Sequence, residues 1–390
     1  MSLVYTCAPA SAGRTLARRS KSTGRNRAAR QPTIDIHCHV FTPEAAALVK
    51  DVMRPQNDPY SFFESAASKQ TDTKQIAAIG PKLTSIEERL KTMDADGIDI
   101  QAISTAPIQY YYWADGTLAL RTSRLINDNI AHLCAIHPDR FVGLATVPMQ
   151  VPEYAVRELT RAVRELGLKG VEICPHVEQE ELSADRFRPF FAKAEELGAV
   201  IFMHPHGFPD GRRLGDHFFQ NIVGNPLDTT VAIHHLIFDG VLETYPGLKI
   251  VCAHGGGYLP AYAGRIDHAH AARPDARTKI TKAPSSYLKK LYFDTIVFND
   301  HQLAYLVKQY GADHILLGTD YPYDMGLPDA VRFVRKTPGL SERDRALILG
   351  GNAARLLGIK PPARNTSHRR ERSRRAEIQR AMRVSISAQR

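Results

Sequence analysis

The sequence predicts an α/β chain folded as a (β/α)8 barrel of the TIM type with insertions, and three observations carry that expectation. Eight short apolar runs recur between residues 33 and 318, rich in β-branched residues and nearly continuous in apolar character. Strands of a parallel sheet buried on both faces read this way. The stretches between several of the runs place apolar residues at helical spacing. Twice, in ELGLKGVEIC and ELGAVIFMH, a helical pattern stops at Leu-Gly and a strand pattern begins at once. A doubly wound open sheet is the competing architecture, and the lack of GxGxxG after the first run weighs against it.

In chain order, the first run is TIDIH (33–37). Thr84-Ser85-Ile86-Glu87 then has the pattern of a capping box, and Ile86, Leu90 and Met93 follow at helical spacing. IDIQAIS (98–104) and FVGLATV (141–147) are the second and third runs. Val156, Leu159, Val163 and Leu166 form a stripe that stops at Gly167, ahead of GVEIC (170–174). Phe187, Phe190, Phe191, Ala194 and Leu197 form another that stops at Gly198, ahead of AVIFMH (199–204). KIVCAH (249–254), LYFDTI (291–296) and HILLG (314–318) complete the set.

The 390 residues are 43% hydrophobic and 24% charged, which excludes a chain disordered throughout. No apolar run approaches the roughly 18 residues of a membrane span. Cys7, Cys38, Cys134, Cys174 and Cys252 are scattered, with no CxxC pair. They argue against a disulfide framework or a cysteine zinc site, and for a reducing, cytoplasmic setting.

The net charge of +10 is uneven. Residues 1–31 carry seven Lys or Arg and no acid, and residues 361–390 carry nine Arg against Glu371 and Glu377, which leaves residues 32–360 at −4. The chain therefore divides into a basic disordered segment (1–31), the barrel (32–360) and an Arg-rich tail (361–390) that could form a short helix around 370–383. The first segment has the composition of an organelle transit peptide, or of sequence read from a start codon placed too far upstream. An acidic body offers no basic groove, so specific nucleic-acid binding is the least favoured reading.

Catalytic groups of a barrel project from the C-terminal ends of its strands. The first run ends in His37-Cys38-His39, and residues i and i+2 of a strand share a face. The fifth ends at His204 in FMHPHG, the sixth at His254 in CAHGGG, and Asp320 stands in LLGTDYP after the eighth. Four imidazoles and a carboxylate gathered in this way need a partner, and a divalent cation is the natural one. Three imidazoles and a carboxylate suit Zn²⁺ with a water completing the shell, Mn²⁺ and Fe²⁺ being alternatives. The ion would make that water more acidic, and a nearby base could exchange its proton.

Gly255-Gly256-Gly257 is read as the tight turn past His254 ahead of a phosphate cradle. His234 and His235 sit mid-helix without a foreseeable partner and are assigned as structural or exposed. His206 and His176, beyond the fifth and fourth runs, could line a pocket, as could Trp113 and Tyr110 to Tyr112 after the second.

IDIHCH, FMHPHG, AHGGG, LLGTDYP and the closing GNAARLLG resemble the amidohydrolase superfamily, and within it the metal-dependent decarboxylases typified by aminocarboxymuconate-semialdehyde decarboxylase. The likeness extends over roughly residues 33–358, leaving out both tails and a divergent insert at about 44–82. It implies that His37, His39, His204 and Asp320 hold the metal, that His254 activates the bound water, and that His254 and Asp320 are catalytic. The implied activity is that of a carboxy-lyase acting on a small carboxylated aromatic or muconate-semialdehyde-like acid, a hydrolase or hydratase being the alternative. Arg265, in AGRIDH, is implied to bind substrate carboxylate in a neighbouring subunit's site, which makes a homodimer the working unit. No lysine ends the fourth run, Lys169 coming too early, so the implied site is mononuclear. Two stretches depart from the family. The insert SFFESAASKQTDTKQIAAIG lacks the family's loop arginine, with Arg54 earlier and Lys69 or Lys74 as stand-ins. Phe218 and Phe219 replace a tryptophan-rich stretch. Arg265, His206, His176, Phe218 and Trp113 are the substrate-binding candidates, for a substrate other than aminocarboxymuconate semialdehyde itself.

Overall fold

A computed structural model describes residues 31–359, so the expectations for both tails lie outside the described residues. Eight parallel strands pair in chain order: β1 (Ile34–Val40), β2 (Ile100–Thr105), β3 (Phe141–Ala145), β4 (Gly170–Ile173), β5 (Val200–Met203), β6 (Lys249–Cys252), β7 (Tyr292–Asp294) and β8 (Ile315–Leu316). The segment from β8 onward returns to β1. The Ile36 N–H donates to the Leu317 carbonyl at 2.9 Å, and the His39 N–H to the Tyr321 carbonyl at 2.8 Å. These bonds close the sheet into the expected barrel. A two-stranded hairpin, His176–Val177 with Glu180–Glu181, extends the loop after β4.

Two apolar cores result. Inside the barrel, Ile34, Ile36, Ala102, Phe202 and Val251 pack together, and Leu356 and Leu357 of the closing helix Asn352–Leu357 join them. That helix stops the end opposite the histidines. The larger core lies between the strands and the surrounding helices.

Of the two Leu-Gly junctions, the second is a helix cap and the first lies just beyond its helix. Gly167 and Gly198 have φ of 73° and 61°, a left-handed conformation that glycine adopts at little cost. Gly198 caps the helix Arg188–Leu197 ahead of β5. The helix before β4 ends earlier than expected, at Arg164, and Gly167 turns the chain in the loop that follows. Another boundary differs from expectation. The first two long helices abut: α1 (Ala66–Thr84) uses Thr84 as its last residue, so Ser85 becomes the cap of α2 (Ile86–Asp96) and accepts from the Glu88 N–H. The capping signal shifts by one residue.

The insert after β1 is helical and knits itself to the loop after β5. The Ser65 N–H donates to the Gly215 carbonyl at 2.7 Å. Gly207, with φ of 76°, lies so close to Tyr60 that an added Cβ would stand 2.9 Å from the Tyr60 Cα.

Candidate metal centre

β1 aims its two histidines by breaking its own alternation. Asp35 pairs with Gln101 but Cys38 pairs with Ile103, so three steps of β1 oppose two of β2. This bulge inverts the parity of the strand. Ile34 and Ile36 therefore join the interior core, whereas Cys38 and Val40 join the outer one. His37 and His39, both fully buried, are left facing the interior above Phe202, whose ring meets that of His37 edge-on at 4.9 Å.

His204 follows β5 directly and packs its ring 4.8 Å from both His37 and His39. His254 and Asp320 reach the same point from strained backbone, with φ of 54° and 58°. Such a conformation persists in non-glycine residues only when the surroundings enforce it. The three glycines after His254 all have positive φ. A Cβ on Gly257 would stand 2.3 Å from the Pro226 carbonyl oxygen, so the run serves the turn.

The five side chains converge. Asp320 Oδ1 lies 3.4 Å from His37 Nε2 and 3.3 Å from His39 Nε2, and Asp320 Oδ2 lies 3.6 Å from His254 Nε2. Ligand atoms of His37, His204, His254 and Asp320 all fall within 4.8 Å of one another. Both ring nitrogens of His204, Nε2 of His37 and of His39, and Oδ1 of Asp320 are buried without a hydrogen bond. Buried polar atoms left in this way cost free energy unless something binds them. A divalent cation held by imidazole and carboxylate fits that need, so the donor set suits the metal.

Neighbouring groups fix the free nitrogens. His37 Nδ1 donates to Asp294 Oδ2 at 2.7 Å, and His39 Nδ1 donates to the Thr105 carbonyl at 2.9 Å. Both acceptors lack protons, so each ring, once neutral, would offer its Nε2 lone pair to a cation at the centre. Burial alone would lower the pKa of His37, but Asp320 and Asp294 push it up to about 10. Burial would raise that of Asp320, and the imidazoles hold it well below the usual carboxylate range. His204 is held well below the usual histidine value by burial and by the other imidazoles. The shift favours the neutral imidazole, the form able to bind a metal.

Three acids escaped the sequence reading. Asp294, ending β7, also accepts from the backbone N–H groups of His254 and Gly255. Asp35 accepts from the Thr319 N–H, the Thr319 hydroxyl and the Gln101 amide, tying β1 to the segment that carries Asp320. Glu172, on β4, accepts from the Tyr110 hydroxyl and sits 3.7 Å from His39 Nδ1. The available signal was a carboxylate inside an apolar run: TIDIH, GVEIC and LYFDTI. Arg89, also missed, is fully buried, donates to the His39 carbonyl and to Gln101, and lies over the Tyr321 ring.

A cavity of about 690 Å³ opens above the centre, lined by His204, His206, Phe218, His254, Asp320 and Tyr323 among others. Tyr60, Glu64, Lys69 and Asp72 of the insert form part of its wall, and of the cationic stand-ins in that region Lys69 reaches it. His206 stacks on Tyr60 and pairs with Asp58 at 3.0 Å. His176 and Trp113 line a different chamber of about 250 Å³, which shares Asp58, Pro107, Ile108 and His206 with the first. Arg265 is exposed on the helix Leu259–Ala272 and lines neither. His234 and His235 do find partners, the Thr230 carbonyl and Asp239, each one turn away.

The comparisons agree with this geometry. The amidohydrolase family model matches residues 34–359. The 2-amino-3-carboxymuconate-6-semialdehyde decarboxylase of Dictyostelium discoideum is 35% identical over 296 residues, covering 76% of this chain and 82% of the relative. The gamma-resorcylate decarboxylase of a Polaromonas species is 32% identical, over 70% and 87%. The crystal structure of 5-carboxyvanillate decarboxylase from Sphingomonas paucimobilis matches with a TM-score of 0.75 at 27% identity, covering 85% of this chain and 100% of that one. The dihydroxybenzoic acid decarboxylase of Polaromonas, solved with manganese and the inhibitor 2-nitroresorcinol, matches with a TM-score of 0.73 at 28% identity, over 86% and 99%. The chain belongs to the amidohydrolase family, within its branch of metal-dependent decarboxylases.

Proposed function

We propose that this protein removes carbon dioxide from a small carboxylated aromatic or muconate-semialdehyde-like acid, using one divalent ion per chain held by His37, His39, His204 and Asp320. The observation that carries the proposal is the set of buried, unbonded imidazole and carboxylate atoms gathered at the foot of the 690 Å³ cavity. Zn²⁺ is the ion we favour, with Mn²⁺ the other candidate, and the bound ion would supply Lewis-acid polarisation of the substrate's oxygens.

The chain's own residues do the rest. Phe218 and Tyr323 offer flat faces to a planar acid. His254, whose Nδ1 is buried without a partner and whose Nε2 faces Asp320, holds and delivers the proton that replaces the departing carboxyl group. Asp294 holds His37 in the metal-binding tautomer and the His254 backbone in place. Arg265 serves a second copy of the chain. Its exposure on a helix that also exposes Tyr262 supports a homodimer in which the guanidinium clasps substrate carboxylate across the interface.

The test is a panel of carboxylated aromatic acids offered to metal-loaded protein, with carbon dioxide as the readout. Release is expected from at least one member, and His37→Ala and Asp320→Ala should lose both the ion and the activity. Hydrolysis without carbon dioxide, or full activity in metal-free protein, would overturn the proposal.

A further inference from the structure

The side chamber has a donor set of its own. Cys174 follows β4, His176 opens the hairpin, and Asp228 comes from the helix Asn225–Phe238. One sulfur, one nitrogen and one oxygen of these residues lie within 4.8 Å of one another, and all three residues are buried. Cys174 and His176 line the chamber of about 250 Å³, so the group has an open side.

Its geometry separates two kinds of chemistry. In a nucleophile–base–acid relay, histidine meets the nucleophile through one ring nitrogen and the acid through the other. Here both neighbours meet the same nitrogen: Asp228 Oδ2 is 2.9 Å from His176 Nδ1, and Cys174 Sγ is 3.8 Å from that same atom. A single nitrogen cannot donate to the carboxylate and also take the thiol's proton. The three atoms are instead gathered within 4.8 Å of one another, near enough to share one ion. Thiolate, imidazole and carboxylate with one open position form a donor set for a borderline-soft divalent ion. Zn²⁺ at about 2.0–2.3 Å from each ligand would set tetrahedral ligands roughly 3.3–3.6 Å apart. The sulfur–nitrogen separation of 3.8 Å is near that. The nitrogen–oxygen pair at 2.9 Å would open by a few tenths of an ångström as the ion replaces its shared proton.

We propose that Cys174, His176 and Asp228 form a second metal site, selective for Zn²⁺-class ions, that ties the hairpin after β4 to the helix bearing Asp228 and faces the side chamber. Binding would expel the proton that His176 shares with Asp228 and the thiol proton of Cys174. The site is independent of the reaction proposed above and of the ion on His37 and Asp320, whose proposed ligands include no thiolate.

That difference provides the test. Chelator-stripped full-length protein is titrated with Co²⁺, with bound metal counted per chain and the near-ultraviolet spectrum recorded. The expected result is two ions per chain, with a thiolate-to-cobalt charge-transfer band appearing with one of them. Cys174→Ser should lose the band and one ion, and His176→Asn should lose the same ion. Asp320→Ala should lose the other ion and keep the band. One ion and no band in the unaltered chain, or a band that survives Cys174→Ser, would overturn the proposal.

Discussion

Asp294 holds two of the five converging groups, His37 and His254. Fully buried, it accepts from a ring nitrogen of His37 and from the backbone amides of His254, Gly255 and Ile296. Burial works against its charge, yet these donors hold its pKa below the ordinary value. Asp294→Asn keeps the shape but brings an NH2 group to donors that need an acceptor. We expect metal affinity to fall by about 10–100-fold, measured by chelator competition. His254→Asn should do the reverse, retaining the ion while turnover falls by about 10²–10⁴, the range for a proton-transfer group. Loss of the ion in His254→Asn would make His254 a ligand.

At the scale of elements, the insert after β1 brings a titrating pair to the cavity wall. Burial, with Asp72 beside it, pushes the Glu64 carboxyl up to about 8, and burial raises that of Asp72 as well. The pair therefore holds a proton at neutral pH. Above about pH 8 the proton leaves and negative charge appears beside the substrate, so KM for an anionic substrate should rise there while kcat is spared. Glu64→Gln should flatten the KM profile over that range. Stability follows the same group. The unfolded chain releases the proton near 4.5 and the folded chain near 8, so folding free energy is lost as pH rises between those values.

The eight strands and the helix stop at Gly198 were legible because continuous apolar runs and punctuating glycines are local signals. The convergence of His37, His39, His204, His254 and Asp320 was legible too, since each stands at or just beyond a strand end. The bulge in β1 was not, because parity depends on what the neighbouring strand does. The insert was opaque for another reason. Its helix Ala66–Thr84 buries only Ser68, Ile79 and Leu83, too few apolar positions to mark a face. Trp113 and His176 follow strands as expected, yet the β4 hairpin encloses them in the side chamber.

At the scale of the whole molecule, the proposed dimer makes a distinctive prediction. Arg265→Ala and His254→Ala chains, each inactive alone, are mixed and allowed to exchange subunits. If the arginine acts across the interface, one site in each mixed dimer regains both groups, and activity should return to about a quarter of the unaltered level. No recovery, with exchange verified by mass, would return Arg265 to its own subunit or to no site.

The seam between β1 and the segment after β8 carries a further consequence, in time. Asp35 and Thr319, which lock that seam, are 284 residues apart, and Asp320 lies beside Thr319. A growing chain leaving the ribosome therefore offers His37 and His39 early but the carboxylate only when nearly all of the barrel has emerged. Loops of that length close late, since their ends must find each other against a large entropy. With the ligand set proposed above, metal capture would fall at the end of biosynthesis. In a cell short of metal, full-length chains would accumulate with the last stave of the barrel least firmly seated, and that edge is where quality-control proteases would begin.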